Sequence, residues 1–223
     1  MISVIIPTLN EAASLAELIA ETRRIGDCEI VIVDGGSTDE TLAQAASADQ
    51  VLSSERGRAT QQNRGAIACR GDVLLFLHAD CRLPAHAFDA IDAALANERT
   101  VGGCFQQQIA ADGRAYRWLE WGNAWRVRWL GMAYGDQAIF IRRSVFEQLG
   151  RFSDVKLMED VLLMQRLRRT GRFVLLADQL TVSARRWQRQ GLVRQTLRNW
   201  LLLTLALCGV SPNYLARFYP NTR

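Results

Sequence analysis

With 223 residues, 49% hydrophobic and 22% charged, the chain suits one α/β domain with a modest appendage and is too apolar to be dominated by disorder. Its net charge is only +4, but the charge is unevenly spread. From Gln179 to Arg223 there is no Asp or Glu, while Arg185, Arg186, Arg189, Arg194, Arg198, Arg217 and Arg223 all fall there. Such a stretch attracts phosphates or an anionic membrane surface, or it forms a solvated arginine-rich face. Cys28, Cys69, Cys81, Cys104 and Cys208 are widely spaced and contain no CxxC pair. That argues against a disulfide framework or zinc site and predicts reduced thiols. The opening Met1-Ile2-Ser3-Val4 has no basic n-region or small-residue cleavage site, which predicts a cytoplasmic protein without a secretory signal. The apolar run Trp200 to Val210 is too short to span a bilayer.

Ile2 to Ile6 is a β-branched run ended by Pro7, a buried-strand signal. A helix is predicted over Ala12 to Arg24, capped by Asn10 or Ser14. Glu29 to Val33 repeats the strand pattern and stops at Asp34-Gly35-Gly36; Ser37 or Thr38 then caps a helix through Ala46. Gln50 to Leu52 is a short strand, Ala59 to Cys69 a helix, Val73 to Leu77 a strand and Ala85 to Asn97 a helix. This alternation predicts βαβ units and a mostly parallel sheet flanked by helices. Such sheets bind ligands at the carboxyl ends of their strands. In the second half, Gly102 to Ile109, Gln137 to Ile141 and Phe173 to Leu176 read as strands. Helices are expected over Val145 to Leu149, Glu159 to Thr170 and Leu192 to Cys208, with a Trp-rich helix before Gln137. The expected division is residues 1–178 as the main domain and 179–223 as a basic, apolar helical extension.

The polar strand ends carry the chemistry. Asp34 and Asp39 either accept hydrogen bonds from a ribose or base or close turns and cap a helix. Arg56 and Arg58, on a glycine turn at a helix start, can meet a diphosphate or remain a solvated turn. Asp80, directly after a buried strand, can hold a hard divalent cation that bridges phosphate oxygens. His78, two residues earlier, is a further ligand or a hydrogen-bond donor behind one. Neither G-x-G-x-x-G nor GxxxxGK[ST] is present, which disfavours a dinucleotide-binding dehydrogenase and a P-loop NTPase.

Taken together, Val4-Ile5-Ile6-Pro7-Thr8-Leu9-Asn10-Glu11, Ile32-Val33-Asp34-Gly35-Gly36-Ser37-Thr38-Asp39, Asn63-Arg64-Gly65, Phe76-Leu77-His78-Ala79-Asp80, Gly135-Asp136-Gln137 and Glu159-Asp160 resemble the motifs of family 2 glycosyltransferases with the GT-A fold. The details Leu77-His78-Ala79-Asp80, Tyr134-Gly135-Asp136-Gln137 and Arg185-Arg186-Trp187 resemble a short subgroup associated with radical-SAM or selenium-linked gene neighbourhoods. The resemblance implies an inverting, divalent-metal-dependent transfer of a sugar from a nucleotide diphosphate, UDP most often, to a hydroxyl acceptor. It implies that Pro7, Thr8 and Glu11 line the base and ribose pocket, that Asp34 binds the nucleobase, and that Gly35 and Ala79 also belong to the nucleotide site. Arg58 and Gln62 would face the diphosphate or base. Asp80 matches the last Asp of the family's metal-binding DxD motif, with His78 standing where the first Asp would be; Mn2+ or Mg2+ is the implied ion. Asp136 and Gln137 match the acceptor and sugar subsite, joined by Arg186 and Trp187 of a partial (Q/R)xxRW element. Asp160 matches the general base, beside Glu159.

Trp118, Trp121, Trp125 and Trp129 share one helical face, flanked by Arg117, Arg126 and Arg128. The stripe is a core-facing one, a sugar-stacking wall or a membrane-interface anchor. With the basic tail, the last reading admits a lipid-linked acceptor and weak membrane-surface association; no nucleic-acid partner is expected. Two alternatives to the enzyme remain. A nucleotidyltransferase would want a Gly-rich loop with Arg and Lys after the first strand, which is missing. A non-catalytic nucleotide-sugar-binding protein draws support from His78, against Asp136, Gln137 and Asp160.

Overall fold

The computed structural model describes residues 1–219, so the expected contribution of Arg223 to the basic tail lies outside the described residues. In chain order the elements are β1 (Ile2–Thr8), α1 (Leu15–Ile25), β2 (Glu29–Asp34), α2 (Thr41–Gln44), β3 (Gln50–Ser53), α3 (Arg58–Ala68), β4 (Val73–Phe76), β5 (Cys81–Arg82), α4 (Ala87–Leu95) and β6 (Thr100–Ala110). They continue with α5 (Arg114–Leu130), β7 (Ile139–Arg142), α6 (Arg143–Gln148), α7 (Glu159–Leu167), β8 (Arg172–Ser183), α8 (Arg185–Gln190), α9 (Leu192–Leu207) and α10 (Pro212–Leu215).

The strands form one sheet in the order β3-β2-β1-β4-β7-β6-β8-β5. The β3-β2-β1-β4 half is parallel throughout, as the alternating pattern predicts. β7 enters antiparallel to both β4 and β6, and β6 and β8 run parallel to each other. β1 and β2 are buried at every position, polar Ser3 and Glu29 included, because both their faces are covered. Val4, Ile6, Ile30 and Ile32 pack towards Leu15, Leu18 and Ile19 of α1. Ile5, Val31 and Val33 face the opposite way, towards Ala59 and Ala66 of α3 and Met164 of α7.

The chain passes from β1 outward through β2 to β3, then returns to add β4 on the other side of β1. That reversal opens a crevice at the carboxyl ends of β1 and β4, where parallel sheets bind ligands.

Several elements differ from the sequence expectation. The helix after Ser37 is a single turn, Thr41–Gln44, because the polar groups that could have capped a longer one close turns instead. Asp34 accepts from the Gly36 and Ser37 amides, and Asp39 accepts from the Thr41 amide. β5 is a two-residue strand paired with Thr181 and Val182 of β8. β8 is twelve residues long and crosses the expected boundary at 178, so the chain leaves the sheet only after Ser183.

Helix α3 lies directly on the sheet at Gly65. A β-carbon there would sit 2.5 Å from Ile5 Cγ2 and 3.0 Å from Val33 Cγ2, both on fully buried branched side chains. Gly65→Ala is expected to lower stability by about 1–2 kcal/mol, because overpacking outweighs the gain in helix propensity. Urea denaturation reads this as a lower midpoint.

Candidate active site

At the end of β2, Asp34 is 2% exposed and locks its own turn. One carboxylate oxygen accepts from the Gly36 and Ser37 amides at 2.9 Å; the other accepts from the Ser37 and Thr8 hydroxyls. Gln61 ties β1 to β2 by donating to the Thr8 and Val33 carbonyls at 2.9 and 2.8 Å. A β-carbon on Gly35 would meet that Gln61 amide at about 3.0 Å. Gln61, rather than the expected Gln62, therefore reaches the crevice; Gln62 is buried, and its Oε1 has no hydrogen-bond partner. Pro7 pairs with Val33 inside the sheet, and Ala79 is buried in the core. Glu11 lies 3.6 Å from the Arg185 guanidinium, which draws α8 onto the end of β1.

Two cavities open along this edge. The larger, of about 680 Å³, is lined by Leu9, Arg56, Gly57, Arg58, Gln61, Lys156, Leu157, Arg186, Asn213, Tyr214, Ala216, Arg217 and Tyr219. It collects five cations and no carboxylate. The smaller, of about 70 Å³, is lined among others by His78, Tyr134, Asp136, Glu159, Asp160, Asn199 and Leu202. Arg58, Leu157, Arg186 and Tyr219 line both, so the cationic and acidic spaces adjoin.

Asp160 accepts from the Gly135 amide at 2.6 Å and from the Val161 amide at 2.7 Å. Burial first, and neighbouring Glu159 second, push its carboxyl up to about 6 against the pull of Arg58. Glu159 is 3% exposed and lies 3.5 Å from the Arg58 guanidinium. This carboxylate is the main cause of the raised proton affinity of Arg58, so the guanidinium stays charged in its half-buried place.

His78 also packs against Gly135. A β-carbon on Gly135 would lie 3.0 Å from His78 Nε2 and 3.5 Å from Asp160 Oδ2. Two residues beside these acids hold left-handed backbone, Met158 at φ 63° and Ala138 at φ 49°, each at a cost of about 1–2 kcal/mol. Such strain is characteristic of functional sites.

Burial also raises the Asp136 carboxyl. Arg186 and Arg126 oppose the shift, while Asp160 and Asp80 reinforce it. Asp136 Oδ1 is buried without a hydrogen-bond partner. Gln137 lines neither cavity; it is fully buried, and its Oε1 accepts from Arg126 Nη2 at 2.8 Å and from the Tyr134 amide at 3.1 Å. Of the Arg185-Arg186-Trp187 element, Arg186 reaches both cavities and Trp187 packs into the core.

Among the described residues no group of three or more His, Cys, Asp or Glu side chains could hold a metal ion. Asp80 acts electrostatically on Asp136, whose Oδ1 is unpartnered. Asp80 lines neither cavity, so the described residues form no all-protein cage, and a hard cation here would keep waters and take its remaining ligands from substrate phosphates.

Sequence reasoning missed the buried Arg126, which lies 3.5 Å over the Tyr134 ring and holds the loop before Asp136. It also missed Asn199, Leu202 and Tyr219, which close the cavities from the C-terminal segment. The spacing of Glu120, Asn123 and Arg126 carried the first signal; nothing local carried the second.

Residues 3–151 match the family model described as glycosyl transferase family 2. The chain is 34% identical over 165 residues to the PGL/p-HBAD biosynthesis glycosyltransferase of Mycobacterium bovis (strain BCG / Pasteur 1173P2), covering 69% of this chain and 63% of that one. It is 31% identical over 170 residues to the undecaprenyl-phosphate 4-deoxy-4-formamido-L-arabinose transferase of Pseudomonas paraeruginosa, covering 67% of this chain and 49% of that one. The chain therefore spans less than two thirds of the length of either curated relative. Its fold matches glucosyl-3-phosphoglycerate synthase from Mycobacterium tuberculosis, in complex with Mn2+, UDP and glucosyl-3-phosphoglycerate, with a TM-score of 0.67 at 21% identity over 94% of this chain and 80% of that one. This likeness gives the GT-A fold. The chain belongs to glycosyl transferase family 2.

Proposed function

We propose that this chain transfers a sugar from a UDP-linked donor to a hydroxyl acceptor with inversion at the anomeric carbon. The observation that carries this reading is the junction of a five-cation cavity with an acidic one at the carboxyl edge of the sheet. A leaving nucleoside diphosphate needs positive charge, and an attacking hydroxyl needs a proton acceptor. In a single displacement the acceptor oxygen bonds to the anomeric carbon as the bond to the diphosphate oxygen breaks. The hydroxyl proton passes to Asp160, and the electron pair leaves on the diphosphate.

Arg58 and Arg186, on the shared wall, are suited to gripping that diphosphate. Glu159 positions Arg58. Pro7, Thr8, Glu11, Asp34, Gly35 and Ala79 belong in this reading to the nucleotide side, with Gln61 lining the cavity and the buried Gln62 behind it. Asp136 and the loop supported by Gln137 face the acceptor; Arg186 borders both, and Trp187 anchors it from the core. Asp80, with Asp136 and neighbouring His78, would hold Mn2+ or Mg2+, which when bound neutralises diphosphate charge. Residues 1–178 would form the catalytic domain, 1–100 its nucleotide-binding half and 101–178 its acceptor-side half, with 179–223 a basic, apolar helical extension that adds Asn199, Leu202 and Tyr219 to the smaller cavity. One relative's name includes undecaprenyl phosphate, which supports a lipid-linked acceptor and a peripheral position at the inner face of a membrane. The His78-Ala79-Asp80 and Arg185-Arg186-Trp187 details keep the chain close to the radical-SAM-associated subgroup.

The test is a panel of nucleotide sugars with Mn2+ or Mg2+, read as nucleotide release. Release from at least one UDP-sugar is expected, together with protection of the fold by UDP and not by NAD. In the same assay Asp80→Ala is expected to lower turnover by about tenfold or more and to weaken dependence on added metal. No release from any donor, with no protection by UDP, would refute the reading.

A further inference from the structure

Helices on the surface of a water-soluble domain turn their apolar stripe inward. α5 departs from this. Beside Ala124 and Val127 it buries Glu120, Asn123 and Arg126, while Trp118, Trp121, Trp125 and Trp129 stand 68%, 60%, 43% and 73% exposed. The core-facing reading of the Trp stripe is thereby overturned. The reason is that the polar face is fully bonded inside: Glu120 accepts from the Ile109 amide, Asn123 donates to Gln107, and Arg126 donates to Met132, Asn123 and Gln137. α9 is apolar on both sides: it buries Leu202 and Leu203 with Gln195, and leaves Val193, Leu197, Trp200, Leu201 and Leu207 exposed along the other face.

The exposed charge on the two helices themselves has one sign, although exposed Asp112 precedes α5. Glu120, the only acid of α5, is buried, and its exposed charges are Arg114, Arg117 and Arg128. From Gln179 to Tyr219 there is no Asp or Glu. A partner that covers both features must be apolar within and anionic at its rim. A second copy does not meet that need, since a self-matched interface would set arginines against arginines. An anionic bilayer does meet it. Tryptophan favours the headgroup boundary, and basic amphipathic helices lie flat within it. Among the described residues no helix is long and apolar enough to cross a membrane.

Both helices also border the site. α9 lines the acidic cavity with Asn199 and Leu202, and α5 reaches it through Arg126 stacked on Tyr134. We infer that the outer faces of α5 and α9 dock the protein on an anionic lipid bilayer, placing a lipid-linked acceptor about one helix diameter, ~10 Å, from the acidic cavity. The docking surface stands on exposure and charge alone, whereas its purpose rests on the acceptor reading above.

The test uses the full chain with phosphatidylglycerol vesicles and, separately, phosphatidylcholine vesicles at low salt. Co-sedimentation with phosphatidylglycerol is expected, with a blue shift of tryptophan emission, and with weaker binding to phosphatidylcholine or at high salt. Two double variants, Trp121→Ser with Trp125→Ser and Leu197→Ser with Leu201→Ser, are each expected to bind about tenfold more weakly or less. Protection by UDP, measured without vesicles, shows that the variants are folded and reports on the donor site independently. Unmodified protein that stays in the supernatant, or variants that sediment as well as it does, would overturn the inference. So would a lipid-free dimer in light scattering that the Leu197/Leu201 variant dissolves. In each of these cases retained UDP protection leaves the glycosyl-transfer reading standing.

Discussion

Asp160→Asn is expected to lower sugar transfer by about 10²–10⁴-fold while leaving UDP binding intact. Asparagine fills the same space and keeps one carbonyl oxygen to accept from the Gly135 amide; its NH2 then faces the Val161 amide and forgoes that bond, so proton uptake and one hydrogen bond are lost together. The pH profile separates this role from a structural one. A general base works ionised, and burial beside Glu159 pushes Asp160 up to about 6. The rate of the unmodified enzyme should therefore rise with pH through about 6 and then level off. The residual rate of the asparagine variant should lack that limb. Arg58 pulls the Asp160 carboxyl down, so Arg58→Met is expected to move the limb to higher pH.

The largest loss of stability is expected from Arg126→Met, about 3–5 kcal/mol, read as a lower denaturant midpoint. Arg126 is 2% exposed. It donates to the Met132 carbonyl at 2.8 Å, to Asn123 Oδ1 at 3.2 Å and to Gln137 Oε1 at 2.8 Å. Methionine fills the stem but leaves these acceptors buried, which is the costly half of losing a hydrogen bond. The Tyr134 ring, 3.5 Å beneath the guanidinium, loses its stacking partner. Because Arg126 also opposes the raised Asp136 carboxyl, its removal should drive that group further up. A variant as stable as the unmodified protein would show that the loop before Asp136 is held by something else.

How much of this was legible in the sequence depended on how local the cause was. β1 and β2 are mostly apolar and β-branched because both faces are covered, so local composition pointed to their place in a parallel sheet. β5 has two residues and exists only because β8 passes beside it, which no local pattern encodes. The second half of β8 was hidden because Ala177, Asp178 and Gln179 do not read as buried strand, although the ladder with β6 resumes at Gln179 after an irregularity. The Trp spacing did specify a helix and a shared face. It could not specify direction, since that depended on whether Glu120, Asn123 and Arg126 found partners inside.

The motifs pointed to Asp80, Asp136 and Asp160; the structure sets Asp136 and Asp160 in one cavity, whose lining does not include Asp80. Asp34 lines neither cavity, and its oxygens are taken up by its own turn. The wall made by Tyr219, Asn199 and Leu202 comes from contacts more than fifty residues away from Tyr134 and was illegible without the fold.

A crystal structure of the protein with UDP and Mn2+ would show where the donor sits. A diphosphate is expected among Arg58, Arg186 and Arg217, with the ion against Asp80 and with Asp160 facing the open side. Nucleotide bound on another surface, with the five-cation cavity empty, would contradict that placement.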